Sequence, residues 1–386
     1  MKKLFSFRNL TALCFLLFLL VFFALSLKPF LRETYYALRG GGDTVRAEEL
    51  FNDNLPGKEQ LVTLNGGIQK LLGKREVNER YLMDNGQMTY VIPELDMSGI
   101  AGNTADLARA LEERDIPFLY VNLLFKIDGE DKQLPSGVED YSNENADRFL
   151  AILREEGVDC LDLREREKAE GLDHYSRFFP SDHHWKPETG LWAAGEVAAA
   201  LRERDPAFSF DPAIFDLESY DCQTHEKVLL GSCGRRVGTW YIAPDDLDVL
   251  TPKFETRLRF FVPSEDLLRE GSFAETMLFP EILEQRDRMN SDSYDVYCGS
   301  VYDHLQIENL QGGSGKRLLV LDDSFSLVVV PFFSLAYAQV DYLDLRLWDG
   351  DLLGYIDETQ PDAVLILYNP GALEDNNLNM FEFLNR

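Results

Sequence analysis

The sequence predicts an α/β fold in which a central parallel sheet has helices on both faces. Thr104 to Glu113 has apolar residues at helical spacing, and the continuous apolar run from Ile116 to Leu124 follows it. The order repeats with a predicted helix from Asn145 to Glu156 and a predicted strand from Val158 to Leu163. Continuous apolar runs are typical of strands buried on both faces. The alternation therefore indicates βαβ units with parallel strands and right-handed crossovers.

The same pattern predicts the carboxyl-terminal half of the sheet. Residues 205–315 interrupt it, because they are rich in Asp, Pro and aromatic residues and contain short alternating pieces. We interpret this segment as an insertion of antiparallel strands and loops, the kind of addition that builds a cleft over a rigid scaffold. Elsewhere the expected elements are a helix from Pro187 to about Arg204, a strand at 317–321, a strand from Gln339 to Leu343, a helix around Leu352 to Glu358 and a strand from Ala363 to Tyr368.

The segment from Leu61 to Tyr90 is predicted to be irregular and rich in hairpins. Its apolar pieces are short, and Gly66-Gly67 and Asn85-Gly86 separate them. Glycine pairs and Asn-Gly dipeptides are turn signals.

The amino terminus predicts export. Lys2, Lys3 and Arg8 precede an uncharged apolar run from Leu10 to Leu27, which has the length of a membrane-spanning helix. Positive charge before the run keeps the amino terminus in the cytoplasm, so the rest of the chain is expected outside. Cleavage near Ala24-Leu25-Ser26, as in a removable signal peptide, is the alternative. We expect residues 1–39 to be a cytoplasmic tip and transmembrane anchor, 40–60 a linker that contains a triple glycine, and 61–386 the globular domain.

Composition excludes some partners. The chain has 386 residues, is 45% hydrophobic and carries a net charge of −29, so it can form a large core but would repel the phosphates of a nucleic acid. Its five cysteines show no metal-ligand spacing. Cys222 and Cys233 could pair in an exported domain or remain free thiols, and both interpretations stay open.

The candidate chemistry centres on the segment from Ser181 to Trp185, Ser-Asp-His-His-Trp. A carboxylate two residues from a histidine can orient the imidazole while its other nitrogen faces a nucleophile. Asp182 and His184 would form this pair. The candidate nucleophile is Ser324, because a predicted strand leads into it and the carboxyl edge of a parallel sheet is where chemistry is usually placed. A helix N-cap is the alternative role for Ser324.

These two stretches resemble the DHHW proteins and the related alginate O-acetyltransferases of the SGNH hydrolase superfamily. In that family, the Asp and the second His of an Asp-x-His-Trp motif pair with a serine in a Gly-Asp-Ser-Phe-like loop. Here these positions are Asp182, His184 and Ser324. The segments 229–232 (Leu-Leu-Gly-Ser) and 365–371 also resemble family landmarks. Asp322 replaces the usual glycine before Asp-Ser, so a glycine-only conformation is not assumed there.

Other residues of the two regions are candidates for binding. His183 is a candidate substrate contact or a support for the triad, and Trp185 a packing residue that fixes the loop. Asn369 and Tyr368 follow the last predicted strand, so they are candidates for an oxyanion donor or a substrate contact, and an Asn-Pro-Gly turn is the alternative for Asn369. Arg346 could bind an anionic sugar or pair with Asp344. A metal site at the Asp-His-His stretch ranks below the triad, because the other histidines lack ligand spacing. We expect no metal and no cofactor.

The resemblance implies a three-layer α/β/α domain that O-acetylates an extracellular or cell-wall polysaccharide through an acyl-serine. It also implies a multi-spanning membrane acyltransferase as the partner that supplies acetyl groups. Two other functions remain open: an SGNH-type carbohydrate esterase, and a polysaccharide-binding or assembly protein without catalysis.

Overall fold

The computed structural model describes residues 7–39, 57–285, 288–373 and 380–384. The predicted linker lies largely outside these residues, as do Lys2 and Lys3. Among the described residues, no helix is long and apolar enough to cross a membrane, and the predicted anchor is therefore not confirmed.

The described helices and strands alternate along most of the chain. In chain order the helices are α1 (Phe7–Arg39), α2 (Lys58–Leu71), α3 (Ser98–Glu112), α4 (Ser142–Glu155), α5 (Leu163–Glu170), α6 (Pro187–Arg204), α7 (Ser232–Val237), α8 (Phe273–Met277), α9 (Val330–Ala336) and α10 (Leu352–Thr359). The strands are β1 (Glu76–Val77), β2 (Arg80–Leu82), β3 (Met88–Thr89), β4 (Phe118–Asn122), β5 (Cys160–Asp162), β6 (Tyr220–Leu229), β7 (Asp245–Pro252), β8 (Leu258–Val262), β9 (Leu267–Gly271), β10 (His304–Asn309), β11 (Arg317–Asp322), β12 (Gln339–Leu343) and β13 (Ala363–Tyr368).

The main sheet has eight strands in the order β5-β4-β13-β11-β12-β10-β8-β9. The five strands from β5 to β12 are parallel to one another, and the last three pair antiparallel. In register, Asp322 lies beside Leu367, and Tyr368 lies beside Asn122. The carboxyl ends of β11, β13 and β4 therefore meet at one edge, as the βαβ pattern predicts.

Helices cover both faces of the parallel part of the sheet. Leu318 and Val320 of β11 belong to one apolar core with α6 and α9, whereas Leu319 and Leu321 belong to a second core with α3, α4 and α10. Alternate residues of a strand point to opposite faces, so one continuous apolar run supplies both cores. The α/β fold with a mostly parallel central sheet is confirmed.

The segment between the two candidate motifs contributes to two sheets. β6 and β7 form a separate antiparallel pair, and β8, β9 and β10 extend the main sheet beyond β12. The insertion is thus partly continuous with the scaffold.

The prediction for residues 61–90 was wrong in its first part. Lys58–Leu71 is a helix that contains both glycines of the Gly66-Gly67 pair. A Cβ on Gly66 would lie 1.8 Å from the carbonyl oxygen of Val237, so this glycine allows close contact with α7. The turn signal at Asn85-Gly86 was right, because Gly86 has a φ of +82° between β2 and β3.

Candidate active site

Asp182, His184 and Ser324 form a continuous chain of hydrogen bonds. His184 Nδ1 lies 2.9 Å from Asp182 Oδ2, and His184 Nε2 lies 2.8 Å from Ser324 Oγ. Asp182 is fully buried, His184 is 6% exposed, and Ser324 is partly exposed. The arrangement places an oriented imidazole against a hydroxyl that a substrate can reach, which is the geometry for nucleophilic catalysis.

Asp182 and His184 lie on a tight hairpin-like loop. Phe178 and Trp185 form an antiparallel bridge, and the Lys186 N–H donates to the Arg177 carbonyl at 2.8 Å. The buried indole of Trp185 donates to the carbonyl of Phe325 at 2.9 Å. Trp185 therefore ties the histidine loop to the serine turn, which agrees with the packing role expected for it.

The serine stands in the first position of a one-turn helix, Ser324–Val328, directly after β11. The cap of this turn is Asp323, whose Oδ1 accepts the Phe325 N–H at 2.9 Å. The N-cap alternative for Ser324 is thus wrong, because its neighbour fills that position. Asp323 Oδ2 also accepts from the backbone N–H and side-chain amide of Asn369, at 3.0 and 2.6 Å, which joins the serine turn to the end of β13.

Asp322, two residues before Ser324, has a fully buried carboxyl group. Its Oδ2 is buried and has no hydrogen-bond partner among the described residues. Burial raises the pKa of Asp322 well above its ordinary value, and the charge of Asp323 raises it further. Ionisation of this carboxyl is therefore disfavoured relative to an ordinary aspartate, which makes it poorly suited to a charged role in the site.

The second carboxylate oxygen of Asp182 is held from three directions. Oδ1 accepts from the His183 N–H at 2.7 Å, the Ser232 N–H at 3.0 Å and the Ser232 hydroxyl at 2.7 Å. A Cβ on Gly231 would lie 2.1 Å from the Asp182 Cβ, so only glycine allows this approach. Gly231 and Ser232, which lie in the segment that resembles a family landmark, therefore position the carboxylate of Asp182, a role that the sequence did not reveal.

Charge and stacking hold the imidazole. Burial lowers the pKa of His184, but the Asp182 charge and hydrogen bond outweigh it and leave the pKa raised. Burial raises the pKa of Asp182. The charge of His184 and hydrogen bonds from both histidines outweigh this effect, so the pKa of Asp182 lies well below its ordinary value. The Tyr294 ring stacks on His184 with centroids 4.6 Å apart and planes 17° from parallel. No local pattern around Tyr294 predicted this contact.

His183 contacts the carboxylate of Asp182. Its Nδ1 lies 3.0 Å from Asp182 Oδ1 and 2.5 Å from Ser232 Oγ. Burial, followed by the neighbouring charge of His184, lowers the pKa of His183 to about 4, so this ring is neutral at pH 7. Its side chain is 19% exposed, which leaves part of the ring accessible at the site.

Three other candidate binding residues, Tyr368, Asn369 and Arg346, make contacts within the protein. Tyr368 is fully buried in the second core, with its ring 5.3 Å from that of Phe381, because strand alternation turns it away from the open edge. It cannot contact a substrate there. The Asn369 side chain bonds Asp323 and accepts the Gly371 N–H at 2.7 Å, so it supports the turn. Arg346 forms a two-pronged ion pair with Asp344, the second of the two roles considered for it.

Among the residues that the structure describes, two groups of side chains have donor atoms close enough together to hold a metal ion. In Asp182, His183 and His184 these atoms lie within 4.8 Å of one another, but they make the hydrogen bonds described above. Glu188, Cys222 and Asp248 form a second such group away from Ser324. Cys222 and Cys233 are free thiols, the first exposed and the second buried.

A cleft lies beside Ser232, and none of Asp182, His184 and Ser324 is among its lining residues. It has a volume of about 800 Å³, and Ser232, the partner of Asp182, lies in its wall with Lys58, Glu59, Arg235 and Arg236. Charges of both signs therefore line this opening.

Residues 95–279 match a family model described as the ALGX SGNH hydrolase-like domain of acetyltransferase AlgX. Residues 95–279 of the chain are therefore similar to an SGNH hydrolase-like domain. The match confirms the predicted resemblance for the stretch that contains Asp182 and His184, whereas Ser324 lies outside the matched residues. It supports acyltransferase activity at a general level. No curated protein shows a significant match to the sequence.

Solved structures of two proteins are among those that share the fold. PatB1 of Bacillus cereus is 22% identical with a TM-score of 0.64, and the alignment covers 78% of this chain and 98% of that chain. A second structure of PatB1 carries a sulfonyl adduct. A DHHW family protein from Eubacterium siraeum is 16% identical with a TM-score of 0.61, over 80% of this chain and 97% of that chain.

Proposed function

We propose that this protein is a polysaccharide O-acetyltransferase that carries the acetyl group on Ser324. The observation that supports the proposal most strongly is the unbroken chain from the buried Asp182 through His184 to the partly exposed Ser324 hydroxyl. The family match to an acetyltransferase domain supports the reaction class.

In the first half-reaction, Ser324 Oγ attacks the carbonyl carbon of an acetyl ester. His184 Nε2 accepts the hydroxyl proton as the new bond forms, and Asp182 stabilises the imidazolium through Nδ1. The bond between the carbonyl carbon and the donor oxygen then breaks, and His184 returns the proton to that oxygen. The candidate oxyanion donor is the backbone N–H of Ser324, because the first N–H groups of a helical turn have no intrahelical partner.

In the second half-reaction, a sugar hydroxyl takes the place of the donor. His184 removes its proton, the sugar oxygen attacks the acyl-serine, and Ser324 leaves with the proton from His184. The acceptor would approach from the carboxyl edge of the sheet, where Ser324 is partly exposed.

We also propose that the domain acts outside the cytoplasm, beside a membrane acyltransferase that supplies acetyl groups. The support is the charged and apolar pattern of residues 2–27 together with the family resemblance. Protease added to intact cells should remove the domain. Full protection of the chain would contradict this location.

The experiment that tests the function uses p-nitrophenyl acetate as donor and a mixture of oligosaccharides as acceptor. We expect slow release of acetate alone, and acetylated oligosaccharide at the expense of acetate when acceptor is present. Ser324→Ala should abolish both products. Ser326→Ala is the matched control, because Ser326 is a fully buried serine two residues away whose hydroxyl has no partner among the described residues.

The outcomes separate the three functions. Rapid release of acetate that no oligosaccharide diverts would favour a carbohydrate esterase. Undiminished activity in Ser324→Ala would contradict Ser324 as the nucleophile, and product formation no faster than in the absence of protein would favour a binding protein.

A further inference from the structure

Lys126 is a fully buried lysine beneath the catalytic loop. It follows β4 by four residues, at the sheet edge where β11 leads to Ser324. Its ammonium donates to the carbonyl oxygens of Phe179 at 2.6 Å and Pro180 at 3.3 Å, and also to that of Asp182. No charged side chain is among these three acceptors.

The number of N–H donors on the Lys126 ammonium equals the number of carbonyl acceptors around it. An ammonium has three N–H groups, and three carbonyls of one turn converge on it. Without a cation at this point, the negative ends of three carbonyl dipoles would face one another in a buried space. The turn that holds these carbonyls also contains Asp182 and leads directly to His184, so its backbone conformation fixes where both side chains point.

Apolar packing does not explain a charge at this position. Burial lowers the pKa of Lys126 to about 8, an effect that nearby Lys186 increases and that Cys233, Asp182 and Asp245 oppose. The charge is thus retained near neutral pH at a cost in desolvation, whereas a methionine of similar volume would fill the space without that cost.

We infer that Lys126 is a positioning residue whose ammonium holds the Phe179–Asp182 turn so that Asp182 and His184 stay aligned on Ser324. This inference rests on the proposed function, because it assumes that the three residues act together. It concerns a residue that contacts no reacting atom.

The role has a consequence at alkaline pH. A neutral lysine has two N–H groups for three carbonyls, so the turn loosens as Lys126 loses its proton and activity should decline around pH 8. This decline in activity should not result from unfolding caused by deprotonation of Lys126. The pKa of Lys126 is lower in the folded state than its ordinary value of 10.5, so the unfolded chain binds more protons between these two pKa values. The stability contributed by this group therefore rises with pH in that range.

The test compares full-length Lys126→Met with Lys253→Met. Lys253 is exposed and donates to the carbonyl of Glu218 at 2.9 Å, so the control removes a lysine–carbonyl bond far from the turn. The measured quantities are kcat and KM for p-nitrophenyl acetate and the rate at which an aryl sulfonyl fluoride labels Ser324. We expect kcat and the labelling rate to fall about 10- to 100-fold in Lys126→Met with little change in KM, because misplacement of about 1 Å costs this much.

The pH profile separates positioning from simple stabilisation. The wild type should lose labelling reversibly around pH 8 with an unchanged circular dichroism spectrum, and Lys126→Met should lack this alkaline step. Equal labelling of wild type and Lys126→Met would overturn the inference, whereas absence of labelling in the wild type would instead contradict the proposed nucleophile. If Lys126→Met does not fold, the wild-type profile decides, and labelling that stays constant to about pH 10 would overturn the role.

Discussion

At the scale of residues, the site depends on the two oxygens of Asp182 having different partners. Oδ2 meets the imidazole of His184, and Oδ1 meets Ser232 and the backbone of His183. A carboxylate that accepts several hydrogen bonds stays ionised even when buried. The charge that results can orient His184 and stabilise its protonated form during the reaction.

This electrostatic arrangement predicts the acid side of the pH profile. The pKa of His184 is raised because the charge of Asp182 outweighs burial. The imidazole must be neutral to accept the Ser324 proton, so kcat/KM should fall as the pH drops through a midpoint above about 6.5, the ordinary value for histidine. Asp182→Asn should reduce kcat by about 10⁴. Rates of p-nitrophenyl acetate turnover across pH check both, and a midpoint well below 6 would contradict the assignment.

Two buried tyrosines near the site provide a matched pair for stability. The hydroxyl of Tyr294 has no partner among the described residues, whereas Tyr297 Oη accepts the Leu250 N–H at 2.8 Å. Tyr294→Phe should therefore raise the free energy of unfolding by about 1 kcal/mol and keep the ring stacked on His184. Tyr297→Phe should lower it by about 1 to 2 kcal/mol, because a buried N–H loses its acceptor. Urea denaturation measures both, and the same sign for the two variants would refute this explanation.

At the scale of elements, the hairpin-like loop and the serine turn are held as one unit. Trp185 bonds the carbonyl of Phe325, and Asp323 bonds Asn369 at the end of β13. Each bond crosses between elements that are far apart in sequence. The site is therefore built on rigid strand ends, and its precision comes from contacts outside the triad.

The sequence predicted an irregular segment where the structure has helix α2. The packing of this helix against α7 can be tested by mutation. Gly66 touches α7, while Gly102 of α3 has open space where a Cβ would stand. Gly66→Ala should lower the free energy of unfolding by about 2 kcal/mol or more, because the new methyl group overlaps a backbone carbonyl. Gly102→Ala should raise it by about 0.5 to 1 kcal/mol through helix propensity. Thermal and urea denaturation compare them, and a stabilised Gly66→Ala would show that α2 does not pack as described.

At the scale of the whole molecule, the sheet could be predicted better than the site. The bounds of β12 and β13 agree with the predicted strands, because buried parallel strands are continuous apolar runs with clear ends. The meeting of His184 with Ser324, 140 residues away, could be expected only from the resemblance and the common sheet edge. Lys126 could not be found, since its partners are backbone carbonyls and carbonyls leave no trace in sequence. Tyr368 was misplaced because the direction of a strand's last side chain depends on register.

The measurement that tests the account most directly is the trapping of the acyl-enzyme. Full-length protein is mixed with p-nitrophenyl acetate, quenched in acid and digested, and the peptides are analysed by mass spectrometry. The account predicts one acetyl group on the peptide that contains Ser324, its loss in Ser324→Ala, and its removal when oligosaccharide is added before the quench. Product formation at a normal rate with no acetyl group on Ser324 would contradict the acyl-serine mechanism.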